Sequence, residues 1–246
     1  MKILLLLAAL FNFNLFAGDL DLRHVVRQEQ LEKVNFPEVV EGNLILSSIF
    51  SIENFIFPKE VQGDLILSGL YKADFVFMPE VLKGGLHADS LKKAKDILLP
   101  RVMSGGVYLR RLEKINSLEF PMLINGDVEL SSLVEIDTLA LPKVINGDLR
   151  LDSIKSTGDL DYIDNIHGDL KLTSLSPVSF TKLPQQVQGD LYIESIENIE
   201  FIKLPNVVGG NIYVSKIKTI DSEHLPEGFT GGVFHLPVSR LDAFGL

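Results

Sequence analysis

Aliphatic residues recur in this chain on two rhythms: every second residue within short runs, and every 21 residues between runs. Glycines at 42, 63, 84, 105, 126, 147, 168, 189, 210 and 231 keep the longer beat. The second residue after each glycine is Leu, Val or Ile, from Leu44 through Leu191 to Val233. The fourth is aliphatic from Leu46 to Val214, with Ala88 among them and His235 in the last unit; the seventh is aliphatic throughout. Apolar and mixed residues alternating in this way predict a strand with one buried face. A second extended run closes on Phe57, Met78, Leu99, Phe120, Leu141, Leu183 and Leu204, each followed by proline. Proline cannot donate to a ladder, so it belongs at a strand end or corner. Glycine followed by Asp or Asn marks another corner, where positive φ is cheap. Each unit thus reads as a closed loop of short strands, and its apolar face is covered by the next unit. The expected fold is all-β: a right-handed parallel β-solenoid of ten 21-residue coils, about 50 Å long.

The ends depart from the beat. Residues 1–17 read as a secretory signal peptide: Met1-Lys2 is the charged start, Ile3 to Leu10 the apolar run, and Ala17 the small residue before the cut. The run is too short for a membrane anchor and is followed by Asn12 and Asn14. No later stretch reaches membrane-spanning length, so no integral span is expected after cleavage. Residues 18–41 form an N-terminal cap and partial repeat, with room for one helical turn. Residues 42–246 are the repeat domain, and its C-terminal cap starts at about 231. The coil holding Gly158-Asp159-Leu160 is irregular, with Ile163 in the proline slot.

Composition narrows the function. There are 33 acidic against 23 basic residues, a formal charge of −10, so nucleic acid and anionic membrane are disfavoured as partners. There are no cysteines, which excludes disulfides, thiolate metal sites and a cysteine nucleophile.

The unit resembles the receptor L-domain type of leucine-rich repeat. The resemblance rests on Phe57-Pro58-Lys59-Glu60-Val61-Gln62-Gly63-Asp64-Leu65-Ile66-Leu67 and on Leu204-Pro205-Asn206-Val207-Val208-Gly209-Gly210-Asn211-Ile212-Tyr213-Val214. It covers nearly all of the chain after residue 17, and implies a leucine-rich-repeat-like solenoid that binds ligands through an outer face. The chain lacks the cysteines of the receptor domains, any Asn-x-Ser/Thr sequon and a hydrophobic C-terminal anchor signal. These departures point to a bacterial exported variant, periplasmic, secreted or at the cell surface.

Candidate chemistry is sparse. Asp64, Asp127, Asp148, Asp169 and Asp190 follow the repeat glycines, with Asn43 and Asn211 in the same slot. Stacked carboxylates suggest calcium; a turn Asp bonding its own backbone explains them more simply, since Asn serves equally. Asp152, Asp159, Asp161, Asp164 and Asp169 cluster around the irregular coil without a calcium-loop spacing. The five histidines form no paired motif, and no nucleophile elbow, zinc-protease or phosphate-loop signature occurs. An enzyme is therefore not expected, and neither a cofactor nor a metal is implied.

The outward face of the first strand is the candidate contact surface. Its third position runs Ile45, Ile66, His87, Tyr108, Glu129, Arg150, Lys171, Tyr192, Tyr213, Phe234; its fifth includes Arg110, Asp152 and Glu194. Tyrosines and cations among polar residues suit recognition of a protein or a glycan. The candidate ligand-binding residues are Tyr108, Arg110, Arg150, Lys171, Tyr192 and Tyr213. The expected role is a non-catalytic binding or adhesion-type repeat protein. The alternatives are a structural envelope protein and a carbohydrate-active β-helix enzyme, whose acids would be Glu129, Asp152 and Glu194. Ile45 and Ile66 near one end, with Phe234 and Leu236 at the other, leave room for self-association through the solenoid ends.

Overall fold

The computed structural model describes residues 15–154, 160–175 and 181–236. It is a β-solenoid of about ten turns, and every strand pair in it is parallel. Each coil contributes short strands to three walls. The front wall is one 11-stranded sheet that starts at Leu20–Asp21, runs through Leu44–Ile45 and its copies, and ends at Val233–His235. The side wall begins at Ser51–Glu53 and includes the six-residue strands Lys114–Glu119 and Glu135–Ala140. The back wall holds two five-stranded sheets. One runs from Leu15–Phe16 to Val102–Met103, the other from Leu123–Ile124 to Val207–Val208.

The 21-residue register is kept on the front wall. Leu44 pairs with Leu65, Leu65 with Leu86, and so on to Ile212 with Val233. Inside, the second, fourth and seventh positions form one continuous core, in which Leu65, Leu67, Leu70 and their copies are buried from Leu44 to Ile217; in the last unit Val233 is half-buried and His235 exposed. Each such side chain contributes about 2 kcal/mol by leaving water, and stacking keeps identical side chains in contact from coil to coil.

The repeat glycines serve a different purpose from the one their turn chemistry suggests. Positive φ occurs at Gly18 and Gly228 among the described glycines, not at the repeat positions. What each repeat glycine provides is close approach. A Cβ on Gly189 would lie 2.6 Å from the backbone of Gly168, and would also strike the Asp169 carboxylate. The coils touch backbone to backbone at this corner, and only hydrogen fits between them.

Two ends and one irregular coil complete the fold. Within 18–41, Gln28–Leu31 makes one helical turn. The Gln28 side chain pairs with the free edge of the side wall: its Oε1 accepts from the Glu53 N–H at 2.7 Å, and its Nε2 donates to the Glu53 carbonyl at 2.7 Å. An edge so covered cannot recruit another strand. Leu160 and Ile163 of the irregular coil are both buried. Its residues 155–159 lie outside the described residues, as do 1–14 of the expected signal peptide and 237–246 of the expected C-terminal cap. Among the described residues no helix is long and apolar enough to cross a membrane.

Candidate functional site

The front wall brings five of the six candidate residues into one file. Tyr108, Glu129, Arg150, Lys171, Tyr192 and Tyr213 are consecutive partners across the sheet, followed by Phe234. Arg110 stands two residues further along the chain, in the turn after the strand, with its guanidinium over the Tyr108 ring. The rings stack along the solenoid axis. Tyr192 and Tyr213 have centroids 4.6 Å apart and planes 7° from parallel, and Phe234 continues the stack at 5.5 Å from Tyr213. Lys171 Nζ covers the other face of Tyr192 at 4.7 Å. A second stack joins His87 and Tyr108 at 4.8 Å. The ring separation is set by the strand spacing, which places flat side chains at van der Waals contact. Ring faces are therefore spent on neighbouring rings, and the Tyr108 and Tyr192 hydroxyls turn back to Asp127 and Asp190 at the glycine corner.

Charge is arranged in bridges between coils. The Arg110 guanidinium donates to Glu129 one coil on and reaches Asp89 one coil back at 3.2 Å, while stacking on Tyr108 at 5.1 Å. The hydrogen bond to Glu129 holds the Arg110 pKa above its usual value. Arg150 is different. Its nearest carboxylates, Glu129 at 3.9 Å and Asp148 at 3.8 Å, are beyond hydrogen-bond reach. Its Nε is withdrawn from solvent and has no hydrogen-bond partner. Lys171 lies 3.8 Å from Asp169. Burial, then the charges of Asp190 and Asp169, push the Tyr192 hydroxyl up to about 12, so it stays protonated and donates to Asp190 at 3.4 Å.

Beside this file runs a second, Ser131, Asp152, Thr173, Glu194 and Ser215. Burial raises the pKa of Asp152. Burial first, then the Asp152 charge, raises that of Glu194. The Thr173 hydroxyl lies between them and donates to the Asp152 carbonyl at 3.1 Å. The two acids sit two coils apart with Thr173 on the coil between.

The aspartate column has a structural function. Each Oδ1 accepts the backbone N–H one period on: Asp148 takes Asp169, Asp169 takes Asp190, and Asp190 takes Asn211, at 2.7–2.9 Å. The acceptor reaches the next coil, not the residue's own turn. Asn43 and Asn211 do the same for Asp64 and Gly232, which is why Asn and Asp interchange. Gly85 and Gly106 stand in the aspartate slot of two coils. There the tips of His87 and Tyr108 fold over the glycines: a Cβ on Gly85 would lie 3.1 Å from His87 Nε2, and one on Gly106 2.9 Å from the Tyr108 hydroxyl.

The acids of the irregular coil are dispersed. Asp152 faces the front file, Asp161 pairs with Lys182 at 3.2 Å, Asp164 meets Gln185, and Asp169 belongs to the corner column. Asp159 lies outside the described residues. Sequence reasoning missed an apolar ridge on the side wall. Ile56, Phe77 and Leu98 are partners on adjacent coils and are 71%, 48% and 57% exposed. Their signal was a 21-residue column that breaks to Glu119 and Ala140 in the next coils. No protein-family model, curated protein or solved structure matches this chain.

Proposed function

We propose that this is a non-catalytic exported binding protein that recognises a protein or glycan through the outer face of its front sheet. The observation that carries this is Arg150. A guanidinium in the middle of an 11-stranded wall, held by two ion pairs at 3.8–3.9 Å but by no hydrogen bond, has N–H donors to offer a partner's carboxylate. Lys171 lies beside it, and the ring edges of Tyr192 and Tyr213 follow along the same file. Because the ring faces are already stacked, a sugar has no face to lie on at Tyr192 or Tyr213. That favours a protein surface, or an acidic glycan held by its carboxylate.

The resemblance to receptor L-domain repeats supports the same reading, as does the signal-like N-terminus, which fits a periplasmic, secreted or surface location. The second reading is a structural envelope spacer. It is favoured by the internal pairing of Arg110 with Asp89 and Glu129, which uses a candidate binding residue to join coils. The experiment is affinity capture from envelope extract with the wild type and with Arg150→Ala. A partner retained by the wild type and lost by the variant supports binding through this face. An unchanged capture profile removes the face from consideration.

A further inference from the structure

Near the C-terminal end, the short segment Asp221-Ser222-Glu223-His224 packs against Glu200 of the preceding coil. Asp221, Glu223 and His224 each present a ligand atom, and these atoms lie within 4.8 Å of one another. Asp221 and His224 line an open cavity of about 740 Å³, with Glu200 and Ser215 on its wall. His224 Nε2 lies 3.1 Å from Glu200 Oε1 on the preceding coil. With that nitrogen donating to the carboxylate, Nδ1 carries the lone pair, and Nδ1 is withdrawn from solvent without a partner. Ser215 Oγ, in the same cavity, is a second withdrawn polar atom without a partner. An unsatisfied imidazole nitrogen on a residue whose ligand atoms group with two carboxylates is costly unless something bonds it.

We propose that Asp221, Glu223 and His224 bind a borderline divalent cation of the Zn²⁺ class. An imidazole nitrogen with two carboxylates suits such an ion and is a poor set for Ca²⁺, which takes oxygen ligands. Glu200 is the positioning residue: it fixes the His224 tautomer so that Nδ1 is free to ligate. Asp221 and Glu223 are exposed, so the remaining coordination positions face solvent and are open to water or to a ligand oxygen. The His224–Glu200 contact already ties the segment 221–224 to the preceding coil, and a bound ion would hold that segment in its ligating form. This site is separate from the Arg150 surface and does not depend on it.

The test is calorimetric titration of the full, untagged chain with Zn²⁺ alone and with Ca²⁺ alone. The expected result is one Zn²⁺ per chain, no heat with Ca²⁺, and a higher melting temperature with Zn²⁺ that chelator reverses. Asp221→Asn with Glu223→Gln, at exposed positions that leave the fold intact, should abolish the Zn²⁺ heat. His224→Gln should weaken binding at least about tenfold, and Glu200→Gln about 10–100-fold. No Zn²⁺ heat with the wild type, undiminished Zn²⁺ binding in the folded Asp221→Asn/Glu223→Gln variant, or Ca²⁺ binding that survives His224→Gln would overturn the proposal.

Discussion

Tyr192 and Tyr213 lie face to face across one step of the front wall, 4.6 Å between ring centres and 7° from parallel. The separation matches the spacing of adjacent strands, so the wall itself dictates the stack. Lys171 closes one end and Phe234 the other.

Removing a ring from the middle of this stack should cost stability as well as any contact it makes. Tyr192→Ala is expected to lose about 1 kcal/mol of aromatic pairing in addition to its buried area, and Tyr192→Phe to be nearly neutral. Urea unfolding of both variants checks this. Arg150→Ala, which removes two long ion pairs but no hydrogen bond, should cost less than about 1 kcal/mol.

The glycine corners separate two kinds of cost. Gly189→Ala places a methyl group 2.6 Å from the Gly168 backbone, and forcing the coils apart should cost about 3 kcal/mol. Gly228→Ala meets nothing within 4 Å, but its φ of +72° should still cost about 1 kcal/mol. Equilibrium denaturation of the pair should show the first loss well above the second.

Asp169→Ala removes the acceptor of the Asp190 N–H and should cost about 1–2 kcal/mol. Asp169→Asn should restore most of it, because Asn43 and Asn211 already make this contact in other coils. If both substitutions were equally mild, the column would not be holding the coils together.

Acid has opposite effects at two aspartates, the half-buried Asp152 and the buried Asp74. Burial raises the folded pKa of Asp152, so its ionised form opposes folding at neutral pH, and that penalty fades as pH falls through the raised value. Asp152→Asn should therefore melt a few degrees higher than wild type at pH 7, and the gap should close below about pH 4. For Asp74 burial also pushes upward, but the Lys72 hydrogen bond and the charges of Lys72 and Lys95 outweigh it, and the folded pKa is lowered. Its contribution is present above the ordinary carboxylate range and is lost as pH falls through the lowered value, so Asp74→Asn should destabilise at pH 7 and converge on wild type in strong acid. Melting temperatures from pH 7 to pH 2 test both.

The sequence by itself determined the solenoid. A unit of 21 residues with alternating aliphatics cannot bury its own apolar face, so the next copy must cover it, and the period then fixes register, strand direction and the core. It also determined which residues share the outer file, because period-two alternation assigns the third position to the outside in every coil. Tertiary structure alone decided what those residues do. Ring faces are consumed by stacking, because the distance between strands equals the thickness that two rings need. Arg110 hydrogen-bonds Asp89 and Glu129 while Arg150 makes only the longer ion pairs to Glu129 and Asp148, a difference set by side-chain reach across coils. Close backbone approach, not turn geometry, explains the repeat glycines, since such contacts exist only once coils are stacked. The grouping of Glu200 with Asp221, Glu223 and His224 likewise comes from one coil lying on the next, a proximity that no linear spacing encodes.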